Sequence, residues 1–319
     1  MCYSAQVNAD YRKYQRLGGT LSLKDFFQLW IHDPGKKKKP KAPKAMEDAF
    51  GPDRPEIRAL IDAWNADEAS ALEQELFKQK KRLADAERTL QTKTTKKALD
   101  DQRIATNKIG QILGWLSDLR RTEPMEKDSR MSPGWYVPVM IVEDGQKVIK
   151  PMRYQCRPPG KPEKNDFMFP GTYNARRDSL GNYWKGLFGR HHAVMIATAF
   201  YENVSRHAME HRALADGEKE ENVILEFKPQ PEQEMYIACL YSHWTDPTGK
   251  SPDLWSFAAI TDEPPAEVAA AGHDRVIIQI KPENVDAWLN PDPSNLAAMQ
   301  AILDDRPQAY YEHRLAQAA

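Results

Sequence analysis

Two textures follow one another along the chain. From Leu21 to Ile31 the apolar residues Leu23, Phe26, Phe27 and Trp30 recur at helical spacing, and Asp33-Pro34-Gly35 ends the pattern. A longer helical stretch runs from about Pro55 to Arg121, with Ile57, Leu60, Ile61, Trp64, Leu72, Leu76, Leu83 and Leu90 making an apolar stripe. The run from Thr92 to Thr95 is rich in β-branched residues and breaks that stripe. Ile104, Ile109, Ile112, Leu113, Leu116 and Leu119 then resume it, which predicts an antiparallel helical hairpin rather than one rod.

After Pro124 the period shortens to that of a strand. Trp135 to Val142 and Lys147 to Met152 flank Asp144-Gly145, a pair that suits a two-residue hairpin turn because both positions tolerate positive φ. Further apolar or alternating runs follow at Ala193–Tyr201, Val223–Phe227, Met235–Tyr241, Ser256–Thr261 and Arg275–Ile280. Short helices near Pro282–Leu289 and Ser294–Leu303 close the pattern. Strands joined by short polar loops cannot make the long crossovers of parallel pairing, so the fold class expected is α+β with a mainly antiparallel sheet.

Composition qualifies this picture. With 41% apolar residues the 319-residue chain can bury a core, while 29% charged residues and a mean hydropathy of −0.71 put part of its length into solvated helix or open connection. The Pro-interrupted basic run from Lys36 to Lys44 reads as such a connection, whose lysines could touch phosphates without sequence preference. The formal net charge is −1, so binding of a polyanion would need a local basic face. Cys2, Cys156 and Cys239 lack metal-ligand spacing, and no segment reads as a signal peptide or membrane span. Free thiols, a cytoplasmic location, no membrane contact and no metal or cofactor are therefore expected.

Cys2 is the sharpest chemical feature. Removal of Met1 would leave an α-amine and a thiol on one residue, and an α-amine titrates near pH 8, so part of it is neutral and nucleophilic at physiological pH. Such an amine attacks an aldehyde to give an imine, and the neighbouring thiol can close it to a five-membered thiazolidine. A cysteine at position 2 is nonetheless more often inert than catalytic.

Other segments change its standing. Met1-Cys2, Tyr173-Asn174-Ala175-Arg176, Ala199-Phe200-Tyr201-Glu202, Met235-Tyr236-Ile237-Ala238 and Gly272-His273-Asp274-Arg275 resemble, in order, the signature of the SRAP (SOS response-associated peptidase) family. The resemblance covers roughly residues 1–16 and 130–319. It implies a domain of residues 1–20 and 127–319 around a partly barrel-like sheet with flanking helices, and an insertion of residues 21–126 that holds the hairpin and the basic run 36–44. An exposed face of that insertion could serve a protein partner.

The resemblance also implies an activity: covalent crosslinking to abasic sites in single-stranded DNA by a monomeric, nucleoid-associated DNA-damage protein. The linkage chemistry is lyase-like, and the family name adds a peptidase activity able to remove residues ahead of Cys2. Carried onto this sequence, Cys2 is the nucleophile, Asn174 positions the opened sugar, and Glu202 and His273 move protons. Arg176 would clamp a phosphate with its two-pronged guanidinium, with Arg177 and Arg275 beside it, and Tyr154, Trp184 and Trp135 could stack bases.

Two departures stand out. Family members commonly read Met-Cys-Gly-Arg, whereas Tyr3 and Ser4 follow Cys2 here, so a small residue and a positive charge near the nucleophile are missing. Asn203 replaces the usual aromatic residue after the glutamate. A nucleic-acid-binding or partner-binding module with weakened chemistry is the first alternative function. A thiol or metal-dependent peptidase is the second, because His207-Ala208-Met209-Glu210-His211 matches the H-x-x-E-H zinc pattern.

Overall fold

A computed structural model describes residues 4–31 and 38–316. Cys2, Tyr3 and the segment 33–37 that ends the first helix and opens the basic run lie outside the described residues. The chain forms two compact units, one of Met1–Leu29, Pro40–Ala49 and Glu126–Ala319, the other of Trp30–Lys39 and Phe50–Met125.

The first unit carries the sheet. Its strands are β1 (Ser4–Val7), β2 (Thr20–Leu21), β3 (Arg130–Met131), β4 (Tyr136–Glu143), β5 (Gln146–Tyr154), β6 (Asn174–Arg176), β7 (His192–Ser205), β8 (Asn222–Gln230), β9 (Met235–Trp244), β10 (Leu254–Asp262), β11 (Val276–Ile277), β12 (Gln279–Ile280) and β13 (Tyr310–Leu315). The helices along the whole chain are α1 (Arg12–Gln15), α2 (Leu23–Trp30), α3 (Lys44–Asp48), α4 (Pro55–Thr92), α5 (Lys96–Arg120), α6 (Asn165–Met168), α7 (Arg206–Met209), α8 (Ala266–Ala270), α9 (Val285–Leu289) and α10 (Leu296–Asp304).

The α+β class with a mostly antiparallel sheet is what the residue pattern predicts. At the expected hairpin, Asp144 and Gly145 take φ values of 51° and 75° and Glu143 pairs with Gln146, so the turn's twist matches that of β4 and β5. Three pairings are parallel: β5 and β6 with β10, and β2 with β5. Long stretches of chain separate these partners, as parallel pairing requires. β13 was not anticipated because only Tyr311 along it is buried, which leaves no apolar alternation to read.

β9, β10, β5, β4 and β7 pair in succession, and β7 pairs back onto β9, making a partial ring. The weak joint is between β4 and β7, whose ladder holds the single pair Met140–Val194. Tyr14, fully buried, fills that gap: its hydroxyl donates to the Pro138 carbonyl at 2.8 Å and accepts the Ile196 amide at 2.9 Å. Burial raises its pKa far above the ordinary phenol value, so the donor is always present.

Beside the ring, His192 is 1% exposed and stacked on Trp288 with ring centres 3.9 Å apart. Its Nε2 accepts the Gly189 amide at 2.8 Å and its Nδ1–H donates to the Trp288 carbonyl at 3.0 Å, which fixes a neutral tautomer. Burial pushes its pKa down to about 3, and the Trp288 bond offsets this only in part.

The second unit is built on the helical hairpin. α4 ends at Thr92 and α5 opens on Thr95, whose side chain accepts the Ala98 amide at 3.2 Å, so the expected interruption is a helix cap. Ala86, Ala98 and Ala105 are buried where the helices approach, and Arg82 bonds Asp101 at 2.6 Å. Leu72, Leu76, Leu83 and Leu90 are only half-buried, since a helix with one packing partner covers one side of its stripe.

Two outcomes follow. Tyr14→Phe strands a buried amide and a buried carbonyl and should lower unfolding free energy by about 2 kcal/mol, read from urea midpoints. The unfolded chain protonates His192 near pH 6.5 whereas the folded chain holds it neutral down to about 3, so stability is complete above 6.5 and falls as pH drops through that window. The slope contributed is at most about 1.4 kcal/mol per pH unit. His192→Gln should flatten the acid limb between pH 6.5 and 4.5 by that one proton.

Candidate active site

Two of the family-signature segments meet at the end of β10. β6 runs parallel to it, Asn174 opposite Ala259 and Arg176 opposite Thr261, while β11 runs antiparallel, Ile277 opposite Thr261. His273 lies three residues ahead of β11. The two segments feel each other's charges, Asp274 acting on Arg176 and Arg275 on Asp178.

His273 is aimed by the end of α8. Gly272 adopts φ +91° and its amide bonds the Ala269 carbonyl at 2.9 Å, the left-handed residue that terminates a helix. A Cβ there would also lie 3.3 Å from that of Ala208. Glu202, wholly buried, stands on β7 with its backbone opposite Leu225. Its Oε2 lies 3.0 Å from His273 Nε2.

On the ring's far side, Nδ1 is 2.9 Å from the Arg275 carbonyl, which it can satisfy only as a donor. With Nδ1 protonated toward that carbonyl, the shorter of its two backbone contacts, Nε2 and the Glu202 carboxyl are close enough to share one further proton. Burial lowers the pKa of His273 below 6.5, and the Arg275 bond raises it only partly back. While one proton is shared between them the pair carries no net charge, and passing that proton from one group to the other costs less in the interior than separating two charges there.

Asn174 is buried, and its Oδ1 accepts the Tyr154 hydroxyl at 3.2 Å, which fixes which end of the amide donates. The connection from β5 to β6 is held tightly. Gln155 adopts φ +143°, strained for a side-chain-bearing residue, and its side chain donates to the Asp166 carbonyl at 2.9 Å. Buried Arg157 bonds both Asp166 oxygens at 3.1 and 2.5 Å and lies over Trp244 at 4.4 Å, while Arg153 reaches Asp166 at 2.9 Å. Burial alone would raise the Asp166 carboxyl, but bonds from Arg157 and Arg153 outweigh it and hold the pKa below the usual carboxylate value.

The expected nucleic-acid contacts fare differently. Tyr154 and Trp184 are 1% and 3% exposed, so neither ring offers a face to a base, and Tyr154 acts through its hydroxyl instead. Trp135 is half-buried. Arg176 is exposed and bonds Asp178 at 2.7 Å; Arg177 is tied to Asp262 at 3.2 Å and Asp304 at 2.6 Å; Arg275 lies 4.0 Å from Asp274.

The zinc pattern does not form its helical turn: α7 ends at Met209, and His211 lies beyond it at φ +52°. Among the described residues no cluster of histidine, cysteine and carboxylate could hold a metal ion, and no helix is long and apolar enough to cross a membrane. Cys156 and Cys239 are buried, and burial raises both thiols, Cys156 to about 12, which leaves them protonated and unreactive.

Ser4 pairs with Tyr201, so the described chain begins beside the strand residue preceding Glu202. The Arg157–Asp166 tie escaped sequence reasoning because the two residues stand nine apart in a Pro-rich loop, where no periodicity links them.

The model of the family described as "SOS response associated peptidase (SRAP)" matches residues 88–317, well over half of the chain. No curated protein matches by sequence. Among solved structures, a protein from Bordetella bronchiseptica is similar at 16% identity and a TM-score of 0.47, covering 60% of this chain and 88% of that one. A Bacteroides thetaiotaomicron protein is similar at 14% identity and 0.45, covering 59% and 78%. A phage-related protein of Bordetella bronchiseptica is similar at 16% identity and 0.43, covering 63% and 86%.

Asp166→Asn leaves Arg157 and Arg153 facing each other without a carboxylate. The expected cost is about 3 kcal/mol of unfolding free energy, seen as a lower urea midpoint with an unchanged m-value.

Proposed function

The chain belongs to the SOS response associated peptidase (SRAP) family, which associates it with the DNA-damage response, and we propose that it captures abasic sites in single-stranded DNA covalently through Cys2. The observation that carries this reading is the buried Glu202–His273 contact at 3.0 Å, at the strand end where Ser4 pairs with Tyr201. Ser4, two residues along the chain from Cys2, pairs next to Glu202, and a proton-sharing pair is what aldehyde capture by an amine and thiol needs. Further support comes from the other two cysteines, which burial keeps protonated.

The chemistry divides into three proton-coupled steps. The abasic deoxyribose opens when its C1′ hydroxyl loses a proton and its ring oxygen gains one, a transfer suited to the Glu202–His273 pair. After Met1 is removed, the neutral Cys2 amine adds to the C1′ aldehyde, and the carbinolamine loses water to give an imine once its hydroxyl is protonated. The thiol sulfur then bonds to C1′ and its proton goes to the imine nitrogen, closing the thiazolidine without oxidant or cofactor. Asn174, its amide oriented by Tyr154, would hold the opened sugar's oxygen during these steps. Reversal uses the same groups in the opposite order.

Single-stranded DNA is the favoured substrate because an aldehyde presented to a chain terminus must be unpaired and turned away from its neighbours. Protein incubated with a single-stranded oligonucleotide bearing an abasic site should give a shifted band that survives denaturation. Cys2→Ala should abolish it, and Glu202→Gln should slow its formation by about a hundredfold. Absence of the band with the unaltered chain, or an undiminished band with Cys2→Ala, would overturn the proposal.

A further inference from the structure

Arg130 lies on β3, its Cα opposite Gln6 of β1. Its guanidinium does not stay beside Gln6. It reaches along β1 toward the start of the chain, with Nε and Nη2 each 3.4 Å from Ser4 Oγ and Cζ 4.1 Å from the centre of the Tyr201 ring. Tyr201 is itself buried, its single hydroxyl proton shared between two acceptors, Gln6 Oε1 at 2.5 Å and Glu226 Oε1 at 2.9 Å, so the ring under the guanidinium is a fixed platform.

The charge is left over. Glu226 and Glu126, the acids whose charges act on the Tyr201 hydroxyl, are matched by Lys228 and Arg314. Arg176 and Arg177, by contrast, each have carboxylate partners. Among the described residues Arg130 has none: a hydroxyl and an aromatic face hold it, and neither neutralises it. Stacking covers the faces of a guanidinium and leaves its in-plane N–H groups to bond, and the Ser4 contacts use only one edge. A half-buried, pre-oriented and uncompensated guanidinium matches a phosphodiester, whose oxygens take two parallel N–H bonds.

We propose that Arg130 clamps a backbone phosphate of the single strand beside the crosslinking site, supplying from β3 the positive charge that Ser4 does not. This rests on the reading that DNA is captured at the start of the chain. Neighbouring residues on a strand point to opposite faces, so Tyr201 with Arg130 lies on one side of β7 and Glu202 with His273 on the other. The clamp therefore grips backbone flanking the lesion and takes no part in proton transfer. It holds damaged and undamaged strands alike, and adds to binding without adding to the rate of the bound complex.

The test uses an undamaged single-stranded oligonucleotide, whose binding does not depend on Cys2, so it gives an answer even if no crosslink ever forms. Arg130→Gln should weaken binding by about five- to tenfold and reduce the slope of log affinity against log salt by about 0.7, the share of one phosphate contact on a single strand. In the unaltered protein, the oligonucleotide should shield Arg130 from phenylglyoxal, read by peptide mass spectrometry, which decides the matter even if the variant folds poorly. Unchanged affinity and slope in a folded Arg130→Gln protein, or no shielding of Arg130, would overturn the proposal.

Discussion

The sheet unit is organised by one strand. β7 is paired along its first half to β9 and along its second half to β8 on one side, and to β4 and β1 on the other, so its 14 residues have almost no freedom to shift register. A slip of one residue would turn Glu202 to the opposite face and Tyr201 into the interior in its place. The weak joint in this arrangement is the short ladder with β4, and a single hydroxyl, that of Tyr14, supplies the missing donor and acceptor there. The ring's closure and the orientation of the acid are thus one constraint.

Holding Glu202 in that position carries an electrostatic cost, because an isolated carboxylate buried away from water is strongly disfavoured. The structure meets the cost by bringing His273 to it from α8 on a glycine turn. Desolvation acts on both groups, and sharing a proton across 3.0 Å is the arrangement that leaves least uncompensated charge. The same feature that makes the pair tolerable in the interior suits it to moving protons for a neighbour.

Cations around this pair are allotted unevenly. The Arg157–Asp166 tie fixes the loop that delivers Asn174, and Arg177 anchors its segment to Asp262 and Asp304, so both guanidinium groups are held by carboxylates. Arg130 has the opposite character, held in place but not neutralised. With a net charge of −1, recognition of a polyanion would depend on which guanidinium groups lack carboxylates rather than on how many there are.

The sequence by itself determined the elements. The hairpin turn at Asp144-Gly145, the capped break near Thr95 and the strand runs from Ala193 onward follow from local turn chemistry and from periods of two and 3.6 that each segment carries within itself. The signature residues Asn174, Glu202 and His273 were legible as candidates through their order along the chain. Only the tertiary structure decided their relations: that His273 touches Glu202, that Tyr154 and Trp184 are interior rather than open to bases, that β13 exists despite its polar face, and that Arg130 turns toward Ser4. Each of these depends on which surfaces are buried and which charges meet across more than fifty residues of chain, and burial and long-range pairing leave no mark in the local period of a sequence.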